Sequence, residues 1–204
     1  MSTRILLATR NAAKLDELRR IVVKRGLGDV EVLGLSDVDE FPEAPETGAT
    51  FEENALAKAH DAAVATGLPA IADDSGLSID ALNGMPGVLS ARWVGRHGDD
   101  EANLRLVLGQ LQDVPEERRG AAFVSAAAFV VPDGAEVVVR GEWRGTIIHE
   151  PRGANGFGYD PIFVPEGETR TSAELSPAEK DAASHRGRAL RSLLPYLQEF
   201  AEGN

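Results

Sequence analysis

The chain contains no cysteine. That excludes disulfides, thiolate zinc sites and a cysteine nucleophile, and it fits a cytoplasmic protein. Basic residues are in the minority, with 21 Lys and Arg against 33 Asp and Glu and a net charge of −12. A surface of that sign argues against a nucleic-acid polymer as partner. It leaves room for a single nucleotide, which needs only one local cluster of Lys and Arg. No apolar run approaches the roughly 18 residues of a membrane span. The first residues enter a strand pattern at once, without a signal-peptide profile, so no membrane partner is expected. Neither a G-x-G-x-x-G nor a Walker sequence occurs, so the two standard nucleotide fingerprints do not apply. Internal repeats and low-complexity segments are also missing.

What remains is enough for a sizeable core: 204 residues, 43% of them hydrophobic. One domain over residues 1–204 is the expectation. Arg4 to Thr9 reads as a buried strand, and Asn11 as the cap of a helix carrying Leu15, Leu18, Ile21 and Val22 on one face. Val30 to Leu35 reads as a second strand, followed by an acidic loop from Ser36 to Thr47. Thr50 and Glu53 form a capping box for a helix expected to end at Gly67. Asn54 and Lys58 share one face of that helix. Asp99 or Asp100 caps a further helix with Leu104, Val107, Leu108 and Leu111 as its buried stripe. Ala121–Val131 and Glu136–Trp143 read as a hairpin around Pro132-Asp133-Gly134, with a short strand at Ile147-Ile148. Ser176 to Glu179 is another capping box. Ser184 to Gly187 reads as an interruption before a terminal helix, kinked at Pro195, that buries Leu190, Leu193, Leu194, Leu197 and Phe200. Strands and helices alternating first, then a hairpin, predict an α/β fold with a mixed sheet.

Three stretches carry chemistry. In Pro69 to Arg92, the apolar run Ala70-Ile71-Ala72 reads as the end of a strand, with Asp73-Asp74-Ser75-Gly76 at its mouth and a second run from Leu77 to Leu82. Carboxylates there are costly to bury unless neutralised, and a hard cation such as Mg²⁺ would do so; capping a turn is the other use for such a pair. If the strand persists, Asp73 and Asp74 face opposite sides. Lys14 lies in the first turn of its helix, where the dipole disfavours a cation unless an anion also binds; a solvated surface lysine is the alternative. Gly153 to Val164 places three glycines around Phe157 and Tyr159, suited to close approach of a ligand and stacking on a planar base, or simply to a surface loop. Lys180, His185 and Arg186 form a cluster of donors.

Seven blocks of this sequence, in order and suitably spaced, resemble the inosine triphosphate pyrophosphatase family, and within it the bacterial dITP/XTP pyrophosphatase branch. They are TRNAAK (Thr9 to Lys14), ETGATFEENALAKA (Glu46 to Ala59), PAIADDSGL (Pro69 to Leu77), GMPGVLSAR (Gly84 to Arg92), GFGYDPIF (Gly156 to Phe163), AEL…EK (Ala173 to Lys180) and SHRG (Ser184 to Gly187). The resemblance covers nearly the whole chain. It implies an elongated two-lobed α/β fold around a long mixed sheet with a central substrate cleft, a requirement for Mg²⁺, and a homodimer. The activity it implies is hydrolysis of ITP, dITP and XTP to monophosphate and pyrophosphate. A Maf-like pyrophosphatase of other specificity and a non-catalytic nucleotide-binding protein are the rival readings.

The same resemblance implies roles. Thr9, Arg10, Asn11, Ala12, Ala13 and Lys14 form the triphosphate-binding turn. Asp74 is general base and metal ligand, Glu46 a second metal ligand, and Ser75 a substrate contact. Phe157, Gly158, Tyr159 and Asp160 bind the base, and Lys180, His185 and Arg186 complete the substrate contacts. Arg10 stands where a small residue is expected, so it either points outward or adds a phosphate contact. Donors facing the base would accept the 6-oxo group of hypoxanthine and xanthine and reject the 6-amino group of adenine.

Overall fold

The strand expected near the N-terminus forms β1 (Thr3–Leu7), and the helix that follows is α1 (Ala12–Lys24). This computed structural model describes residues 3–10, 12–24, 26–27, 30–42 and 45–203. Asn11 lies outside them, as do the side chains of Ala12 and Ala13, whose backbone opens α1. The remaining elements are β2 (Val30–Leu33), α2 (Phe51–Thr66), β3 (Ala70–Ile79), α3 (Asp100–Gln110), β4 (Gly120–Val130), β5 (Glu136–Ile147), β6 (Phe163–Pro165), α4 (Pro177–Ala183) and α5 (His185–Gly203), with short 3-10 turns between them. Six strands pair in the order β2-β1-β3-β4-β5-β6. β1 runs parallel to β2 and to β3, and β5 antiparallel to β6, so the sheet is mixed, as the order of elements predicts.

Two compact units make up the chain. The first comprises Met1–Asp74, Ala126–Arg140 and Ala189–Asn204; the second comprises Ser75–Ser125 and Gly141–Arg188. Each has a core of its own. In the first unit Ile5, Leu7, Val30, Val32 and Ile71 from the strands pack with Leu18 and Val22 of α1 and Leu190, Leu193, Leu194 and Leu197 of α5. The buried stripes read from sequence on these two helices are the faces that do this packing. In the second, Leu77, Ile79, Phe123, Trp143, Ile147, Ile162 and Phe163 pack with Leu104, Val107 and Leu111 of α3. Phe163 is the hub, edge-on to Phe123 at 4.7 Å and to Trp143 at 5.7 Å.

Local hydrogen bonding explains most boundaries. Thr50 Oγ accepts the Glu53 amide at 3.1 Å, and α2 ends at Gly67 with φ 67°, a left-handed cap that glycine adopts without strain. The Glu53 carboxylate accepts from the Ala49 amide at 2.6 Å, one residue ahead of the position a reciprocal box would use. Ser176 and Glu179 do form the reciprocal box, and Asp99 caps α3.

Three expectations need correction. β3 does not stop at Ala72: it runs unbroken through Asp73, Asp74, Ser75 and Gly76, so the acids sit inside a strand and not at its mouth. Lys14, Asn54 and Lys58 partner the two carboxylates, which removes the cost that the break was inferred from. β5 absorbs Ile147, because Ile147 N–H still has a backbone acceptor in Arg119. His185 and Arg186 are no interruption but the first turn of α5; Ser184 Oγ accepts the Gly187 amide at 3.1 Å and so caps that helix.

Candidate active site

In the first unit, β3 presents its adjacent acids to different helices. Alternation along a strand sends neighbouring side chains to opposite faces. Asp73 Oδ2 accepts from Lys14 Nζ of α1 at 2.7 Å, with the carboxylate almost fully buried. Asp74 faces α2: its Oδ2 accepts from Asn54 Nδ2 at 3.0 Å, and its Oδ1 lies 3.6 Å from Lys58 Nζ. Lys58 is also paired with Glu46, in the segment that leads into α2. Two carboxylates, Glu46 and Asp74, thus share one ammonium.

The electrostatics follow from that crowding. Burial pushes the Asp74 carboxyl above its ordinary value; Lys58 and the Asn54 amide pull it back, while the negative charges of Glu46 and Asp73 add to the rise. Burial pulls the Lys58 ammonium down, but Glu46, Asp74 and Asp73 outweigh it and hold the group above its usual value.

Asn54 is the hinge of this arrangement. Its side chain is buried, its Oδ1 accepts the Gly48 amide at 2.8 Å, and its Nδ2 is the donor to Asp74. A Cβ on Gly48 would stand 2.7 Å from Asn54 Oδ1, so the glycine permits the contact. Asn54, Lys58 and Asp73 were not among the site residues inferred from sequence. The shared i, i+4 face of Asn54 and Lys58 was the available signal for two of them.

Thr9 and Arg10 leave β1 and line a cavity of about 440 Å³ in the same unit, together with Leu15, Leu35, Val38 and Phe41. Arg10 is exposed there.

In the second unit, Asp160 organises the glycine-rich segment. It is buried, and its Oδ2 accepts from the Phe157 amide at 2.9 Å and from Lys180 Nζ, while Oδ1 accepts from Ser172 Oγ at 2.7 Å. Lys180 Nζ stands 5.4 Å from the centre of the Phe157 ring, within cation–π range. Phe157 is 61% exposed, as a stacking platform must be. Tyr159 is a different kind of aromatic: it is buried and its hydroxyl donates to Ser90 O at 2.8 Å. Burial raises its phenol well above the usual range. Gly158 N–H donates to Asp100 Oδ2 at 3.0 Å. Gly156 has φ 78°, and a Cβ there would fall 2.1 Å from Asp160 Oδ2. His185 is buried and stacks on Phe123 with ring centres 5.1 Å apart. Arg186 and Ser75 are half-buried. Ser172, absent from the sequence-based set, belongs with Asp160.

Two sets of side chains therefore stand out: acids and lysines on β3, α1 and α2, and an aromatic platform held by Asp160 and Lys180. Comparison with known proteins agrees with their chemistry. The model of the Ham1 family matches residues 5–196. The chain belongs to the Ham1 family. A relative from Nocardia farcinica, named dITP/XTP pyrophosphatase, is 68% identical over 98% of this chain and 97% of its own. A crystal structure from Mycobacterium abscessus, described as a nucleoside-triphosphatase / dITP/XTP pyrophosphatase, is 63% identical, with a TM-score of 0.82 over 96% of this chain and 100% of the other. A HAM1 protein from Coxiella burnetii is 44% identical, with a TM-score of 0.89 over 97% of this chain and 99% of that one. The α/β fold with its mixed sheet is thus the fold of this Ham1 family, and the resemblance read from the seven blocks is borne out.

Proposed function

We propose that this protein hydrolyses non-canonical purine nucleoside triphosphates, namely ITP, dITP and XTP, to the monophosphate and pyrophosphate. The observation that carries the proposal is the Asp74 constellation: a buried carboxylate that accepts from Asn54, pairs with Lys58 and stands beside the acids Glu46 and Asp73, in a Ham1 chain whose relatives are named for that reaction.

The chain's own groups divide the work. Thr9, Arg10, Asn11, Ala12, Ala13 and Lys14 handle the phosphates, with the amides at the start of α1 and the Lys14 ammonium offsetting their charge. Asp74 takes a proton from the attacking water as its oxygen bonds to the α-phosphorus; the bond from that phosphorus to the oxygen bridging to the β-phosphate breaks, and pyrophosphate leaves with the electron pair. Ser75 contacts the substrate.

A divalent cation fits this donor set. Glu46 and Asp74 already converge on one positive group, Lys58, and both offer hard carboxylate oxygens. Among the described residues no group of three or more His, Cys, Asp or Glu is placed to hold an ion. Two protein carboxylates with phosphate oxygens and water completing the shell is an arrangement suited to Mg²⁺. When bound, the ion would neutralise phosphate charge and acidify nearby water.

Base recognition falls to Phe157 as the stacking face, with Gly158 and Tyr159 shaping the segment, Asp160 anchoring it, and Lys180, His185 and Arg186 supplying donors. Such donors satisfy a 6-oxo group and are left unpaired against a 6-amino group, a mismatch that discriminates by about 10⁴-fold or more. The whole chain acts as one catalytic domain, as a homodimer in the cytoplasm, a location that the lack of cysteine fits; among the described residues no helix is long and apolar enough to cross a membrane.

The test is pyrophosphate release across nucleoside triphosphates, with and without Mg²⁺. Metal-dependent release from ITP, dITP and XTP with weak release from ATP is the expected pattern, and Asp74→Asn should lower kcat by about 10²- to 10⁴-fold. Equal rates on ITP and ATP, or near-wild-type turnover by Asp74→Asn, would defeat the proposal.

A further inference from the structure

We infer that Asn54 is a positioning residue that holds the Asp74 carboxylate in one orientation, and that the segment before α2 is what aims it. This inference rests on the proposed hydrolytic role of Asp74. An amide can turn over, exchanging its oxygen and nitrogen, unless both ends are engaged by groups of opposite character. Asn54 meets that condition. Its Oδ1 accepts from the Gly48 backbone amide at 2.8 Å, a donor that cannot rotate away, so the NH₂ end must face Asp74 Oδ2 at 3.0 Å. The residue is 2% exposed, which leaves water little chance to compete. Its helix is anchored independently, because Thr50 caps α2 and Glu53 ties back to the Ala49 amide.

The orientation has a chemical consequence. Oδ2 accepts from the amide, and Oδ1 faces Lys58, the cation Asp74 shares with Glu46. Any divalent ion held by Asp74 and Glu46 would meet a carboxylate already aimed by Asn54. Pre-set ligands of this kind lower the cost of binding, and their outer partners influence metal affinity strongly. The same Gly48–Asn54–Asp74 chain joins Glu46 and Asp74 mechanically, since Gly48 lies two residues beyond Glu46.

Two variants of the protein separate this role from mere packing. Asn54→Asp keeps the size and the acceptor for Gly48 but loses the donor to Asp74. Asn54→Leu keeps the approximate volume and loses both. The measurements are kcat and KM with ITP, folding by circular dichroism, and Mn²⁺ affinity without substrate by electron paramagnetic resonance. For both variants the expected result is a folded protein, kcat lowered about 10- to 100-fold and KM within about threefold of wild type. Mn²⁺ affinity should fall at least fivefold in Asn54→Leu. A folded Asn54→Leu protein with wild-type Mn²⁺ affinity, or with kcat within twofold of wild type, overturns the inference; so does a loss of kcat that tracks the unfolded fraction. If either variant does not fold, the other decides. Metal affinity is read without turnover, so it tests Asn54 even if the wild type fails to act on ITP, in which case the proposed function falls by itself.

Discussion

Replacing Lys58 by methionine removes the one ammonium shared by Glu46 and Asp74 while keeping much of the stem's packing. The side chains involved are mostly buried: 27% of Lys58, 29% of Glu46 and 10% of Asp74 is exposed. At 3.6 Å the attraction between Lys58 and Asp74 is about 4–5 kcal/mol at an effective dielectric constant near 20. Desolvating the ammonium and fixing its long side chain offset part of this, so the net loss on removal is about 2–3 kcal/mol. For a chain of this length each kcal/mol moves Tm by about 2–4 °C, so Lys58→Met should melt about 4–12 °C below wild type in the absence of divalent metal. The folded ammonium titrates above its usual value. Its contribution is therefore complete below the unfolded value of about 10.4 and disappears as pH rises through the folded one. The gap between the two proteins should stay constant from neutral pH to about pH 10 and close above it. Magnesium should narrow the gap at neutral pH, because the cation competes with Lys58 in wild type but not in the variant and so binds the variant more tightly; at saturation a tenfold difference in Kd narrows the gap by about 1.4 kcal/mol. Differential scanning calorimetry with EDTA or with Mg²⁺ reads both effects. A variant melting within 1 °C of wild type in EDTA, or a gap that magnesium leaves unchanged, would refute this account of the shared ammonium.

Gly156→Ala should raise KM for ITP about tenfold and cost about 1–3 kcal/mol of stability, because it strains a residue at φ 78° and drives a methyl group into the contact between Asp160 and Lys180; steady-state kinetics and thermal melting check both. Tyr159→Phe should destabilise the protein by about 0.5–1.5 kcal/mol in urea titrations, since it removes the buried hydrogen bond from its hydroxyl to the Ser90 carbonyl. The Glu179 carboxyl is held at about 2 by the Ser176 amide and hydroxyl and then by Arg170. A lowered carboxyl stabilises the fold above its unfolded value near 4.5 and loses that contribution as pH falls towards 2. Ser176→Ala should therefore lose less stability than wild type between pH 4.5 and 2, measured by urea unfolding across that window.

Much of this protein is legible in its sequence because many of its decisive hydrogen bonds are local. Thr50 with Glu53, Asp99 with Ala102, Ser176 with Glu179 and Gly67 at a helix end each join residues three or four apart, so residue type and spacing determine them. The buried stripes of α1, α3 and α5 and the hairpin between β4 and β5 follow from periodicities that survive any tertiary arrangement. The alternation of Asp73 and Asp74 follows from strand geometry as well. Which cation each acid meets is another matter. Lys14 and Asp73 are 59 positions apart, Asn54 and Asp74 are 20, and Tyr159 and Ser90 are 69. A partner at that distance depends on which helix packs against which strand, and no spacing rule encodes that. The continuation of β3 through four polar or small residues has the same origin. Read alone, Asp73-Asp74-Ser75-Gly76 is a turn. Lysines and an asparagine brought from two helices make it a strand that can carry buried charge.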